Sequence, residues 1–175
     1  MAVLIPQDSG RLAPAARPSP AQLAPAQLKG WAILGWLGVA YLIMSVIDLA
    51  LGWYPVRFGQ PEWEFGTISA TIAGLAIPTL SLYLMLASAF ARERTNLVKG
   101  IAVAMIVIAV FLAVLFILYL TAVPLALRAV SNNPIIHLGM EKSIIKSLTL
   151  FLGYEGLFIF GAIKGLRHRL PGLDG

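Results

Sequence analysis

The sequence predicts an all-α integral membrane protein, a four-helix bundle with N-in/C-in topology, and three observations carry that expectation. Of its 175 residues, 59% are hydrophobic and 12% are charged, about half the charged share of an average soluble domain. Mean hydropathy is +0.85. The apolar residues gather into four runs, each long enough for the helix of roughly 20 residues that crosses a bilayer. Bases sit beside these runs, so the net charge of +5 reads as an orientation signal, and no nucleic-acid partner is expected. Cysteine is absent, which removes disulfide exchange, thiolate nucleophiles and Cys-ligated metals.

Residues 1–28 are rich in Ala and Pro (Pro6, Pro14, Pro18, Pro20, Pro25) and lack an apolar stripe, so a loose cytoplasmic tail is expected. The membrane domain follows over 29–170, with spans at 30–52, 64–90, 98–123 and 143–166, and a short tail at 171–175. The first run begins after Lys29, and no small-residue cleavage site follows it. It is therefore expected to stay as an anchor and not to be removed as a signal peptide. The link between spans two and three is about seven residues long, which makes those helices antiparallel neighbours. The links on the other side are longer, at about 11 and 19 residues.

Cytoplasmic flanks are enriched in Lys and Arg. The tail, the second link and the C-terminus carry Arg11, Arg17, Lys29, Arg92, Arg94, Lys99, Lys164, Arg167 and Arg169, whereas the opposite side carries Arg57, Arg128, Lys142 and Lys146. Both termini are thus expected inside, in a multi-pass protein of a bacterial-type inner membrane.

Helices in lipid associate through small residues and hydrogen bonds across the seam. Span one presents Gly35, Gly38, Leu42, Ser45, Leu49 and Gly52 on one face, and span two presents Thr67, Thr71, Gly74, Pro78, Ser81, Met85 and Ser88. Both stripes are expected to face the interior, with Pro78 kinking span two. Span three has almost no polar atom before Tyr119 and Thr121, and much of its surface is expected to face lipid. In span four, Gly161 and Gly165 have the spacing of a close helix crossing, and a homo-oligomer contact is one use for it.

Glu155 is the residue with the greatest chemical potential. It lies 12 residues beyond Ser143, about 18 Å down the helix at 1.5 Å per residue, and no cation is expected at that depth. Hydroxyls of Tyr41, Thr79, Ser81 or Tyr154 are the expected partners, and without a cation the protonated acid is favoured. Glu155 is read either as a proton, cation or cofactor-contacting site or as interhelical glue. Asp48, one turn from the outer end of span one, either pairs with Arg57 or caps a neighbouring turn, or else opens a polar path toward Glu155. The intramembrane candidates are therefore Glu155, Asp48, Tyr41 and Ser81.

The densest local signature is W-Y-P-V-R-F-G-Q-P-E-W-E-F-G-T, residues 53–67. Its prolines and glycine enforce turns, and its rings suit the headgroup region. Trp53, Tyr54, Arg57, Glu62, Trp63 and Glu64 form either a cap and aromatic belt or an outer docking surface. His137 is expected in the outer loop and His168 in the cytoplasmic tail, on opposite sides, so they do not form a two-histidine haem or metal site. No phosphate-binding loop, zinc-protease helix or nucleophile arrangement occurs, and neither enzyme activity, metal nor cofactor is expected.

The stretch P-E-W-E-F-G-T-I, followed by P-T-L-S-L-Y-L-M-L, resembles the second-span region of HpsJ-like and related bacterial membrane proteins. The likeness covers about residues 54–86. It implies a link to surface polysaccharide secretion and transfers no catalytic residue. The role expected is a non-enzymatic accessory or assembly subunit of a larger membrane complex, in contact with lipid and other membrane proteins. A small transporter or proton-coupled channel using Glu155 is the first alternative, and a quinone- or cofactor-contacting enzyme subunit is the second.

Overall fold

The computed structural model describes residues 25–167. The expected tail lies outside the described residues up to residue 24, as do His168 and the stretch 171–175. Five helices follow in order: α1 (Pro25–Gly52), α2 (Pro61–Gly74), α3 (Ala76–Ala91), α4 (Thr95–Ala129) and α5 (Pro134–Leu166). With α2 and α3 taken as one broken span, four helices are long and apolar enough to cross a membrane. The two ends of the bundle differ. Lys29, Arg92, Arg94, Lys164 and Arg167 share the basic end, and the α1–α2 and α4–α5 connections share the loop end.

Among the described residues α1 is helical from Pro25, inside the stretch expected as tail. Helix α2 opens on Pro61, after an extended Gln60, where proline is well placed because the N–H groups of a first turn have no intrahelical acceptor. The break between α2 and α3 falls at Leu75, three residues before the proline expected to kink this span. Pro78 has no N–H to give the Gly74 carbonyl. The chain tightens locally, with the Leu75 N–H reaching Ile72 O at 3.4 Å, and the helix resumes as the Thr79 N–H bonds Leu75 O at 3.0 Å.

Helix α3 ends in paired bonds from Glu93 N to Phe90 O and from Arg94 N to Ala89 O. This is the Schellman pattern, whose left-handed residue is usually glycine. Here it is Glu93, at φ 50°.

At the loop end the structure departs from the long outer link expected between 123 and 143. Helix α4 continues to Ala129 and α5 starts at Pro134, leaving a four-residue turn, 130–133. The Asn133 side chain accepts from the N–H groups of Ile135 and Ile136 at 3.2 and 3.3 Å, a cap that stabilises a helix start by about 1 kcal/mol. Hydropathy marks only the part of a helix that suits hydrocarbon. Polar residues such as Arg128, Glu141 and Lys142 end the apolar run without ending the helix. His137 therefore stands on α5, 3.5 Å from Glu141 one turn on, and not in a loop. At 35 and 33 residues, α4 and α5 are each about 50 Å long, longer than the roughly 30 Å that a bilayer's hydrocarbon core requires.

Helix α4 is the axis of the core. Val98, Ala102, Met105, Ala109, Leu112, Tyr119, Ala122 and Ala126 are buried along one side, at the spacing of three and four that forms a single seam. Val103, Val107, Val110, Val114 and Ile117 on the other side are exposed. That side is an exposed apolar surface, as expected, but α4 also packs against α5, α2 and α3. The helix with the least burial is α1, which packs along α3 and touches α2 briefly.

Two glycine pairs set the closest approaches. A Cβ at Gly35 would stand 2.6 Å from Ser88 Oγ, and one at Gly38 would stand 2.8 Å from Ser81 O. Ser88 Oγ also donates to Trp31 O at 2.6 Å, tying α3 to α1. On α5, a Cβ at Gly161 would meet Met105 Sδ at 2.6 Å, and one at Gly165 would meet Ala102 Cβ at 2.7 Å. The α5 pair thus works inside the chain, against α4.

Candidate functional site

Glu155 lies one turn from Phe151 on one side and from Phe158 on the other, and both of these are buried. Phe151 stacks on Phe116 of α4 at 3.9 Å with the rings 6° apart. Glu155 is therefore on the edge of the α4–α5 seam, about 16 Å from the end of α5 at Leu166. Its Oε2 is buried and has no hydrogen-bond partner.

Two of the hydroxyls expected to serve it, those of Thr79 and Ser81, are used elsewhere, and neither Tyr41 nor Tyr154 bonds it. Thr79 Oγ1 donates to Leu75 O and Ser81 Oγ donates to Ile77 O, each at 2.7 Å within its own helix. Tyr83 OH donates to Leu157 O of α5 at 2.7 Å. Ser143, Ser147 and Leu157 mark the side of α5 that faces α2 and α3. At about 100° per residue, Glu155 falls on the opposite flank. An unpartnered carboxyl in an apolar wall is costly, and the chemistry open to it is to hold a proton or to receive a donor.

Of the other intramembrane candidates, Ser81 is buried and its carbonyl backs Gly38 of α1. Tyr41 is 50% exposed, and Asp48 is exposed with no ion pair to Arg57. Helix α1 lies along α3, so the structure does not bring Tyr41 or Asp48 to Glu155. Leu37, Tyr41, Met44 and Asp48 instead line up on the open face of α1.

The 53–67 segment divides in two. Trp53, Phe58 and Trp63 meet edge to face, with centroids 5.6–6.1 Å apart. Trp53 Nε1 donates to Thr71 Oγ1 at 3.0 Å, fixing the loop to α2. Glu64 accepts from the Gly59 N–H at 2.8 Å, where the chain turns through φ 87°, a value glycine adopts without strain. Trp53, Trp63 and Glu64 therefore build the loop. Tyr54, Arg57 and Glu62 project from it.

One polar cluster was not expected from the sequence. Ser69 of α2 bonds Ser147 of α5 at 2.7 Å and Ser143 at 3.2 Å. The Tyr119 hydroxyl of α4 faces the same serines but forms no well-directed bond with them, and its ring is fully buried against Phe65. These serines and Lys146 line a groove of about 280 Å³ between α2 and α5, toward the loop end. The available signal was the i,i+4 pair Ser143 and Ser147. Ser69 was obscured because it lies off the small-residue stripe of its own helix.

Among the described residues, no group of three or more His, Asp or Glu side chains is placed to hold a metal. The class defined by fold and site is an all-helical protein with four membrane-length apolar helices and an unpartnered carboxyl in the fourth. Compared with protein families, curated proteins and solved structures, the chain matches none.

Proposed function

We propose that the protein is a non-enzymatic assembly subunit of an inner-membrane complex, with both termini inside, and that the open face of α1 is its contact surface. The stripe Leu37, Tyr41, Met44, Asp48 supports this reading. Tyr41 lies about 16 Å from the end of α1 at Gly52, near mid-span, yet its ring is half exposed. A phenol facing lipid at that depth leaves a hydroxyl unsatisfied, whereas a neighbouring helix supplies an acceptor. The likeness of residues 54–86 to HpsJ-like proteins favours an assembly connected with surface polysaccharide. Tyr54, Arg57 and Glu62 extend the contact surface beyond the membrane.

The test is a photo-crosslinking residue at Met44, compared with one at Val107 on the lipid-facing side of α4, in native membranes. Met44 is expected to capture another polypeptide, and Val107 lipid. The mass of the adduct separates a second copy of this chain from a different protein. Lipid adducts alone at both positions would overturn the reading.

The unpartnered Glu155 oxygen favours a second reading, a proton- or cation-coupled transporter. If Glu155→Gln abolishes a flux in proteoliposomes containing this protein alone, that reading replaces the first.

A further inference from the structure

At the basic end, the first turns of α1 and the α3–α4 turn flank an open cleft of about 480 Å³, lined by Leu28, Lys29, Ala32, Arg92 and Arg94. Three of the five lining residues are cations drawn from two separate segments, and none is acidic. The basic–acidic side-chain contact found among the described residues, His137 with Glu141, lies at the other end of the bundle. Glu93, between the two arginines in sequence, does not line the cleft. It takes the left-handed position of the Schellman turn, at φ 50°, and its side chain is exposed.

Like charges held around one concave surface repel one another and concentrate positive potential, which an anion relieves. Arginine adds a planar fork that matches phosphate oxygens two at a time. The cleft is at the level where α1 and α3 leave their apolar stretches, and Leu28 and Ala32 give it an apolar wall beside the charges. A ligand carrying both a phosphate and an acyl chain fits both features.

We propose that this cleft binds the phosphate headgroup of an anionic glycerophospholipid, which clamps the start of α1 to the α3–α4 turn. The site requires the helices to span a bilayer and is independent of whether α1 docks a partner. It adds an attachment for α1 beyond the Gly35–Ser88 and Gly38–Ser81 seam.

The full chain is purified in mild detergent, supplied with equal amounts of phosphatidylglycerol and phosphatidylcholine, and examined by native mass spectrometry. Retained adducts are expected to be phosphatidylglycerol. Arg92→Gln with Arg94→Gln is expected to weaken that retention about 30-fold, two surface charges each contributing about fivefold. Arg128→Gln with Lys142→Gln, the same charge change at the loop end, is expected to leave it intact. Equal retention of the two lipids, or equal loss in both double variants, overturns the proposal. Displacement by millimolar inorganic phosphate also overturns it, since the site is then one for a soluble anion. If the arginine variant does not fold, the wild type decides. Added phosphatidylglycerol is expected to raise its melting temperature more than phosphatidylcholine does, and no difference counts against the site.

Discussion

Two seams in this molecule use the same device with different results. Between α1 and α3, Gly35 and Gly38 admit Ser88, Met85 and the Ser81 carbonyl. Between α4 and α5, Gly161 and Gly165 admit Met105 and Ala102. The second seam continues into buried Phe158 and into the Phe116–Phe151 stack, whereas the first leaves Ile33, Trp36, Leu37 and Met44 exposed. Lipid gives no hydrophobic drive between helices, so dispersion contacts and bonds across the seam decide how firmly they hold. Close approach by glycine is common to both, and bulky side chains interlock in one. Helices α2–α5 thus form a core, and α1 is a satellite on α3.

Substitutions at the glycines sharpen the contrast. Gly161→Leu drives a side chain into Met105 and the Tyr83 hydroxyl, and overpacking of that kind costs about 3 kcal/mol at the upper end. We expect the whole fold to be destabilised together, read as one lowered unfolding transition. Gly38→Leu pushes α1 away from the Ser81 carbonyl at about 2 kcal/mol. Protease access is expected to rise along α1 alone, with the melting of α2–α5 little changed. A single global transition in that variant would erase the distinction between core and satellite.

Glu155→Leu is the smallest of the three effects. Replacing a half-buried carboxyl whose inner oxygen has no partner with an apolar group removes its desolvation penalty, a gain of about 1 kcal/mol. A stability gain identifies Glu155 as a group kept at a structural cost. A loss of similar size means that it bonds another helix in the membrane, as the glue reading requires. Thermal unfolding in detergent distinguishes the two outcomes.

Much of this architecture is legible in the sequence because local periodicity encodes it. Gly35, Gly38 and Leu42 define the face of α1 that packs, and Thr71, Ser81 and Ser88 on the next span are buried as their spacing predicts. Gly74 on the same stripe meets open space, because the break before Pro78 turns it away from α1. Which helix meets which is not local information. In α4 nearly every residue is apolar, so hydropathy has no period to report, and only the alanines at 102, 109, 122 and 126 mark the inner side. For the same reason the Ser69–Ser147 bond and its Tyr119 neighbour were hidden, since each contributes a single polar atom from a different helix. The place of Glu155 within the fourth apolar helix was readable from residue counting. Its isolation was not, because that depends on α1 lying along α3.

The packing of α1 along α3 can be tested in native membranes by paired cysteine cross-linking, since the chain has no cysteine of its own. Gly35→Cys with Ser88→Cys is expected to form a disulfide readily, and Tyr41→Cys with Glu155→Cys is expected to form none. Efficient cross-linking of the second pair would contradict the account, replacing a satellite helix with a closed bundle whose polar groups converge on Glu155.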